Sequence, residues 1–285
     1  MRSAEEIALL MASGASGSLV QLGQTRFRHR LVTHWAIAEG SRVLEIGCGQ
    51  GDTTAVLADA VGIEGRVVAV DIGEPSYGAP ITVGDSARHL SDGPLGGRIE
   101  FHFSFNALDP KNAFPDDSFD AIVLAHCSWY FDSTDKLKAM LEHIRPWSRR
   151  LCISEWDLEP KSFDQVGHLL AVLIQGQIEA YKTDSKANIR SPYSKESVLS
   201  LLGEAGWVVE SLTSIDSSEL SDSAWEIDAC LSSSARESNH WGLPKKLQDL
   251  VGCQLDILSG FSRAHPSRSL PSFSIVARRN DSRPT

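Results

Sequence analysis

The stretch VLEIGCGQGDTT, residues 43–54, places three alternating glycines directly after an apolar run. The glycines are Gly47, Gly49 and Gly51, and the run itself carries one acid, Glu45. A glycine-rich loop after a strand lets the backbone approach a ligand closely, because no side chain stands between them. The stretch therefore predicts a ligand site, for which a nucleotide phosphate, a dinucleotide and a molecule without phosphate compete.

Neighbouring residues exclude the two phosphate ligands. A P-loop needs the pattern GxxxxGK[ST], and no lysine lies between Arg42 and Lys111. A dinucleotide loop needs GxGxxG, whose third glycine falls on Asp52 when the count begins at Gly47. A carboxylate at that position would repel a pyrophosphate. A ligand without phosphate is left.

Short β-branched runs alternate with helical patterns along the chain. Strands are predicted at residues 41–47, 65–71, 97–104, 118–127, 149–156, 207–215 and 272–279. Helices are predicted at residues 52–62, 136–145, 163–181, 194–206 and about 222–234 and 244–260. Asp52 or Thr53 is the expected cap of the first helix. This alternation predicts an α/β fold with a doubly wound, mostly parallel sheet of seven strands.

One domain is predicted over residues 1–285, with helical cap insertions at about 157–194 and 216–270. Long structureless loops are rare in compact domains, so helices are expected in these segments. We expect the insertions to cover one edge of the sheet. Their large apolar side chains either line a ligand pocket or form the cap's own core: Trp225, Trp241, Leu258 and Phe261.

Composition limits the partners and the compartment. A formal net charge of −10 disfavours nucleic acid, because a phosphate backbone would be repelled. The basic stretch at residues 26–30 is interpreted as one turn of a solvated helix face. Five cysteines without a CxxC pattern or a Cys/His cluster predict no metal site and no disulfide framework. Apolar runs shorter than the roughly 20 residues of a membrane span, and an N-terminus without a secretory pattern, predict a cytoplasmic protein that does not enter a membrane.

The pattern E-x-G-x-G-x-G at residues 45–51 resembles the cofactor loop of class I, Rossmann-like methyltransferases that use S-adenosylmethionine. In that family an acid after the second strand holds the ribose, an Asp-Ala or Asn-Ala pair after the third recognises the adenine amine, and a sequence like PDDSFD, residues 115–120, leads into the fourth. The resemblance implies these cofactor-binding residues: Glu45, Gly47, Cys48, Gly49, Gly51, Asp71, Ile72, Asn106, Ala107 and His126.

The chemistry of these residues suits S-adenosylmethionine. The cofactor carries a sulfonium cation and an ammonium group, so carboxylates near the loop are favourable. An ionised carboxylate also offers two acceptors to the two hydroxyls of a ribose, which fits Asp71.

The stretch LAHCSWYF, residues 124–131, follows the fourth predicted strand, which in the family ends beside the sulfonium. His126 is its first polar residue, and it either acts as a general base, orients the acceptor or lines the pocket. The aromatic side chains of Trp129, Tyr130 and Trp156 either contact the acceptor or pack against the sheet.

Two acids after the fifth strand, Glu155 and Glu159, are similar to the paired glutamates of protein arginine methyltransferases. Their strand and their spacing differ from that family, so we interpret the likeness as coincidence.

The resemblance implies an enzyme that methylates an oxygen or nitrogen atom of a small organic molecule, with a cap layout like that of secondary-metabolism methyltransferases. The intact loop leaves three alternatives open: a non-methylating cyclisation or rearrangement on the same fold, cofactor binding without catalysis, and methylation of a protein. The sequence shows no pattern that fixes the oligomeric state.

Overall fold

A seven-stranded sheet forms the centre of the computed structural model, which describes residues 1–12, 18–185 and 187–281. The strands are β1 (Arg42–Ile46), β2 (Arg66–Val70), β3 (Ile99–His102), β4 (Ala121–Ala125), β5 (Arg150–Trp156), β6 (Trp207–Ile215) and β7 (Ser272–Arg279). Their order is β3-β2-β1-β4-β5-β7-β6. The first five strands run parallel, and β7 runs antiparallel to both β5 and β6. The predicted doubly wound, mostly parallel sheet is confirmed.

Helices cover both faces of this sheet. They are α1 (Ala4–Ala8), α2 (Ser18–Trp35), α3 (Asp52–Ala60), α4 (Val83–Asp92), α5 (Thr134–His143), α6 (Val166–Glu179), α7 (Lys195–Glu204), α8 (Asp222–His240) and α9 (Lys245–Ala264). The central strands are buried on both faces: four of the five residues in β1 and in β4 are fully inside. Near-continuous apolar runs therefore mark the strands that lie between two helical layers.

Two local predictions from the sequence are wrong. The third strand is shorter than residues 97–104, because residues 96–98 form a 3-10 turn before it. The first residue of α3 follows Gly51, which takes a left-handed conformation with φ of 87°, and no side chain caps this helix. Asp52 is instead the first helical residue, and its carboxylate accepts a hydrogen bond from Gln21 Nε2 at 2.7 Å.

The cap helices α6, α8 and α9 pack on one another around a second apolar cluster, which includes Ile174, Ile227 and Leu258. Helix α6 lies at the carboxyl end of β5, and the expectation that the insertions cover one edge of the sheet stays a prediction. The ring of His168 in α6 contacts the ring of Trp156, the last residue of β5, with centroids 5.2 Å apart. This position follows from the topology, since one insertion leaves the end of β5 and the other returns into the neighbouring start of β7.

The basic stretch at residues 26–30 lies in α2, and its interpretation as a solvated face holds only in part. Arg26 and Arg30 do face outward and pair with Glu219, at 3.5 and 2.8 Å. Phe27 is fully buried, and its ring stacks on Trp156 with centroids 6.4 Å apart. This turn of α2 therefore packs over the carboxyl end of the sheet.

Candidate active site

The glycine loop after β1 is fastened to the end of β2. The backbone N–H groups of Gly47 and Cys48 both donate to the carbonyl of Val70, at 2.8 and 3.2 Å. Parallel neighbouring strands bring their carboxyl ends to the same edge, which is where ligands bind in open α/β sheets. The loop therefore lies at the expected ligand edge of the sheet.

The three glycines differ in what surrounds them. A Cβ added at Gly47 would lie 2.7 Å from Cys127 Cβ, and one at Gly51 would lie 2.7 Å from Leu90 Cδ1. A Cβ at Gly49 would meet nothing within 4 Å, although its φ is +52°. Gly47 and Gly51 are therefore required for packing, whereas Gly49 borders open space that a cofactor can enter.

Asp71 joins the loops after β1 and β2. Its Oδ2 accepts from the N–H of Gly49 at 2.8 Å, and its Oδ1 accepts from the N–H of Gly73 at 2.7 Å. Each carboxylate oxygen keeps acceptor capacity, which a pair of ribose hydroxyls fits. The neighbouring Ile72 has 71% of its surface exposed and offers an apolar face beside this acid.

The loop after β3 brings Asn106 to the same edge. The backbone of this loop pairs with the loop after β2, since Phe105 N donates to Asp71 O at 2.8 Å and Ser104 N donates to Gly73 O at 2.8 Å. Asn106 is exposed and uses its Oδ1 to accept from Leu108 N at 3.0 Å, while Ala107 is buried. The fold thus brings together four of the predicted cofactor positions: Gly49, Asp71, Ile72 and Asn106.

Glu45 has a different environment from the acid at Asp71. It is buried and accepts a hydrogen bond from Thr54 Oγ1, so it links β1 to α3. Burial raises the pKa of Glu45 to about 8, and the charges of Asp52 and Asp71 add to the rise. The buried carboxyl of Glu45 thus holds α3 in place through Thr54. The contact of Glu45 with the cofactor stays a prediction.

His126 is enclosed by its neighbours just after β4. Its backbone is left-handed, with φ of 52°. Its Nδ1 lies 3.5 Å from Glu155 Oε1, its Nε2 lies 3.3 Å from Ser272 Oγ, and Trp156 packs edge-on against the ring with centroids 4.7 Å apart. Burial lowers the pKa of His126 well below its ordinary value, and the charge of Arg28 adds to this. A buried imidazole with a lowered pKa is a weak base, so this environment suits positioning better than proton abstraction.

Glu155 fixes the loop that carries these residues. Its Oε2 accepts from the N–H and the hydroxyl of Ser128, and its Oε1 accepts from Trp156 N at 3.0 Å. Burial raises the pKa of Glu155 to about 7. The exposed Glu159 pairs instead with Lys161 and Lys195, at 2.9 and 3.2 Å, so the two glutamates do not converge on one ligand.

The three aromatic residues that were predicted to contact the acceptor or pack against the sheet differ in their exposure. Trp129 is only 4% exposed, packs in the main core and donates from Nε1 to the carbonyl of Tyr193 at 3.4 Å. Its predicted contact with the acceptor is not supported. Trp156 is likewise nearly buried, between the rings of His126 and His168. Tyr130 alone keeps 40% of its surface open.

Burial raises the pKa of the Tyr130 hydroxyl, and Tyr77, Glu155 and Glu226 contribute further to the rise. Glu226 belongs to α8, a helix of the cap.

Hydrogen bonds join α2 to α8 and α8 to α6, and sequence reasoning missed them. Gln24 accepts from Arg28 Nη1 at 2.6 Å and donates to Asp222 Oδ2 at 3.2 Å. On the next turn of α8, Glu226 Oε2 accepts from Gln175 Nε2 at 2.9 Å. Burial raises the pKa of both Asp222 and Glu226. The only sequence signal was the spacing of four residues between these acids.

The four large apolar side chains expected in the cap have different environments. Leu258 is fully buried in the cap's own core, whereas Trp225 and Trp241 turn outward. Phe261 packs against Phe163, with ring centroids 5.2 Å apart.

The residues that the structure describes contain no group of three His, Cys, Asp or Glu side chains arranged to hold a metal ion. No helix among them is long and apolar enough to cross a membrane.

The fold, with its glycine loop at the carboxyl ends of the parallel strands, is that of a Rossmann-like methyltransferase. A family model described as a methyltransferase domain matches residues 21–212, more than half of the chain. The chain belongs to this family, and its cofactor is S-adenosylmethionine.

One solved structure resembles nearly the whole chain. It is a cyclopropane-fatty-acyl-phospholipid synthase-like protein from Lactobacillus casei, 34% identical, with a TM-score of 0.87. The alignment covers 96% of this chain and 98% of that one. The likeness therefore includes the cap helices as well as the sheet.

Curated relatives match over a shorter region. Methyltransferase phomM' from Diaporthe leptostromiformis is 26% identical, over 59% of this chain and 53% of its own length. The ubiquinone/menaquinone biosynthesis C-methyltransferase UbiE of Vibrio parahaemolyticus is 30% identical, over 59% of this chain and 64% of its own. The match thus spans between half and two thirds of these relatives.

Proposed function

We propose that the protein transfers the methyl group of S-adenosylmethionine to an oxygen or nitrogen atom of a small organic acceptor bound beneath the cap. The observation that carries this proposal is the pair of acids one turn apart on α8, Asp222 and Glu226, which accept hydrogen bonds from Gln24 of α2 and Gln175 of α6. An acceptor oxygen or nitrogen presents lone pairs and N–H or O–H groups, which carboxylates can orient.

The cofactor is expected to lie along the edge formed by Gly49, Asp71, Ile72 and Asn106. Asp71 would hold the ribose hydroxyls, Ile72 would cover one face of the adenine, and Gly49 would let the methionine portion pass. The cofactor supplies a methyl group on a sulfonium that is already a good leaving group. The protein's task is therefore to align the acceptor and exclude water.

The cap supports a small acceptor over a macromolecular one. Helix α6 contacts the carboxyl end of β5 through the rings of His168 and Trp156, and α8 packs against α6. Gln24 ties α2 to α8 through Asp222. An enclosed site of this kind favours small molecules. An origin in secondary metabolism stays a prediction that rests on the layout of the chain.

Cofactor binding is tested by calorimetric titration with S-adenosylhomocysteine. Asp71→Asn should weaken binding about 10- to 100-fold, since a hydrogen bond to a charged group contributes roughly 1.5–3 kcal/mol. Asp92→Asn, an exposed acid on α4, is the matched control and should bind like the wild type. Equal affinity of all three proteins would remove Asp71 from the cofactor site.

The acceptor class is tested with a deuterated-methyl cofactor and an extract of small metabolites. A labelled small molecule, formed together with S-adenosylhomocysteine, supports the proposal. Label in protein bands would point to a protein methyltransferase instead. A new product without S-adenosylhomocysteine would show a non-methylating reaction.

A further inference from the structure

Three arginines alternate along one stretch of α2 and differ in their partners. Arg26 and Arg30 both pair with Glu219, at 3.5 and 2.8 Å. Arg28 lies between them in the sequence, and it forms no ion pair with a described residue. No aspartate or glutamate occurs in the remaining segments of the chain, which are residues 13–17, 186 and 282–285. Arg28 is therefore a cation without an acidic side chain as its partner.

The guanidinium of Arg28 is accessible only in part. The side chain as a whole is half-buried. Its Nε is enclosed and has no partner among the described residues, so a ligand does not reach that atom. Its Nη1 donates to Gln24 Oε1 at 2.6 Å, whereas Nη2 makes no hydrogen bond with a described residue and is not enclosed as Nε is. A ligand would therefore meet the outer nitrogens of the group.

The neighbours of Arg28 connect it to both the sheet and the cap. Gln24, which accepts from Arg28, also donates to Asp222 of α8 at 3.2 Å. The ring of Phe27 lies 5.0 Å from the guanidinium carbon, and the same ring contacts the ring of His126 with centroids 5.2 Å apart. The guanidinium thus lies near the carboxyl end of β4 and beside the start of α8.

The charge of Arg28 acts on three titratable groups around the candidate site. Burial lowers the pKa of His126, and the charge of Arg28 adds to this effect. Burial raises the pKa of Glu45 and of Asp222, and the charge of Arg28 opposes both rises. None of these three groups forms an ion pair with the guanidinium, so its charge is left for a ligand.

A carboxylate is the ligand group that fits this guanidinium. A half-buried charge without a counter-ion is costly, because the water that it loses is not replaced. The planar donors of arginine match the two oxygens of a carboxylate and form charge-assisted hydrogen bonds with them. The nearby acids Glu45 and Asp222 would repel the higher charge of a phosphate more strongly.

We propose that Arg28 binds the carboxylate of a small molecule in the candidate site through its outer nitrogens. Two molecules can supply this group: the cofactor, through its methionine portion, and an acceptor that is itself a carboxylic acid. The second source rests on the proposed function and would define the acceptor class. The first source depends on the cofactor alone.

The cofactor as the source is tested by calorimetric titration with S-adenosylhomocysteine and with methylthioadenosine, which keeps the nucleoside and the thioether but lacks the amino-acid portion. Arg28→Gln should weaken binding of S-adenosylhomocysteine about 10- to 100-fold and leave binding of methylthioadenosine unchanged. Arg28→Lys keeps the charge and should recover part of the loss. Arg26→Gln, on the exposed face of the same helix, is the matched control and should bind both probes like the wild type.

An acceptor acid as the source is tested on protein saturated with S-adenosylhomocysteine. The probe is benzoate, and benzamide is its uncharged match. Benzoate should bind the wild type saturably and Arg28→Gln at least about tenfold more weakly. Benzamide should not distinguish the two proteins. In this case S-adenosylhomocysteine itself should bind the wild type and Arg28→Gln equally well.

Equal binding of every probe by the wild type and Arg28→Gln would overturn the proposal. That result would leave the proposed methyl transfer intact, because formation of a labelled product does not require a carboxylate at Arg28. Conversely, a protein that methylates nothing would still give a clear result in these titrations, because they measure binding alone.

Discussion

Glu155, near the end of β5, accepts hydrogen bonds from both the backbone N–H and the hydroxyl of Ser128, at 3.0 and 2.8 Å. Ser128 begins the short turn after β4 that ends with Tyr130. One buried carboxylate thus sets the position of the loop between the cofactor edge and the cap. The position of the turn that carries Tyr130 depends on this internal contact.

The open space beside Gly49 predicts that Gly49→Ala impairs cofactor binding more than folding. The new methyl group would meet no protein atom within 4 Å, so the folding cost is limited to the left-handed backbone, roughly 1–2 kcal/mol. The same methyl group would occupy the space assigned to the methionine portion. We expect affinity for S-adenosylhomocysteine to fall at least about tenfold, measured by calorimetry.

Gly40→Ala is the control for this variant. Gly40 also has a positive φ, 82°, with nothing within 4 Å of an added Cβ, but it lies in the turn before β1. Gly40→Ala should lose about as much unfolding free energy in urea titration as Gly49→Ala, and it should bind S-adenosylhomocysteine like the wild type. If the two variants bound the cofactor equally well, Gly49 would not border the cofactor.

The raised pKa of Glu45 predicts a pH dependence of stability. The ordinary pKa is 4.5 and the folded value is about 8, so the folded state holds a proton that the unfolded state releases between these values. The unfolding free energy supplied by this group is therefore present below about pH 4.5 and is lost as the pH rises toward about 8. The side chain of Glu45→Gln cannot ionise. The difference in unfolding free energy between this variant and the wild type should therefore change across this pH window.

Urea unfolding of both proteins at several pH values measures the effect. The unfolding free energy of the wild type should fall relative to Glu45→Gln as the pH rises. Glu64→Gln, an exposed acid in the turn before β2, should follow the wild type at every pH. A constant difference between Glu45→Gln and the wild type would mean that Glu45 ionises normally when folded.

The enclosure of His126 predicts that its replacement affects stability more than chemistry. Asparagine tolerates the left-handed backbone found at this position, so His126→Asn preserves the turn. It removes ring contacts with Phe27 and Trp156, each worth about 0.5–1.5 kcal/mol. The unfolding free energy should fall by about 1–3 kcal/mol in urea titration.

The maximal rate of His126→Asn should fall by less than about tenfold, measured with the acceptor found by isotope labelling. A general base typically contributes a factor of about 10²–10⁴. A loss of that size in a folded variant would restore the role of base that the sequence proposed for His126.

The contact between α2 and α8 predicts a role for Asp222 in acceptor binding. Asp222→Asn weakens the link to Gln24 and removes a charge from the cap face, so kcat/KM for the acceptor should fall about tenfold or more. Affinity for S-adenosylhomocysteine should be unchanged, because Asp222 lies on the cap. Asp228→Asn, exposed on the same helix, is the control. A change confined to cofactor affinity would contradict this assignment.

Local patterns predicted much of the fold. The strands at residues 207–215 and 272–279 agree with β6 and β7, because alternating and apolar β-branched runs are contiguous signals. The helix predicted at about 222–234 was too short, since α8 continues to His240 through a serine-rich segment. Serines there fit the helix because Ser234 and Ser238 are buried against the other cap helices, which no local propensity shows.

The sequence by itself determined the glycine loop, the acid at Asp71 and hence the cofactor class, because each of these signals is carried by residues that are close together in the chain. Only the tertiary structure decided which neighbours act with them. Gln24 and Asp222 are 198 residues apart, and the enclosure of His126 arises where separate elements meet. Such contacts depend on how helices pack over the ends of the strands, which short-range patterns do not specify.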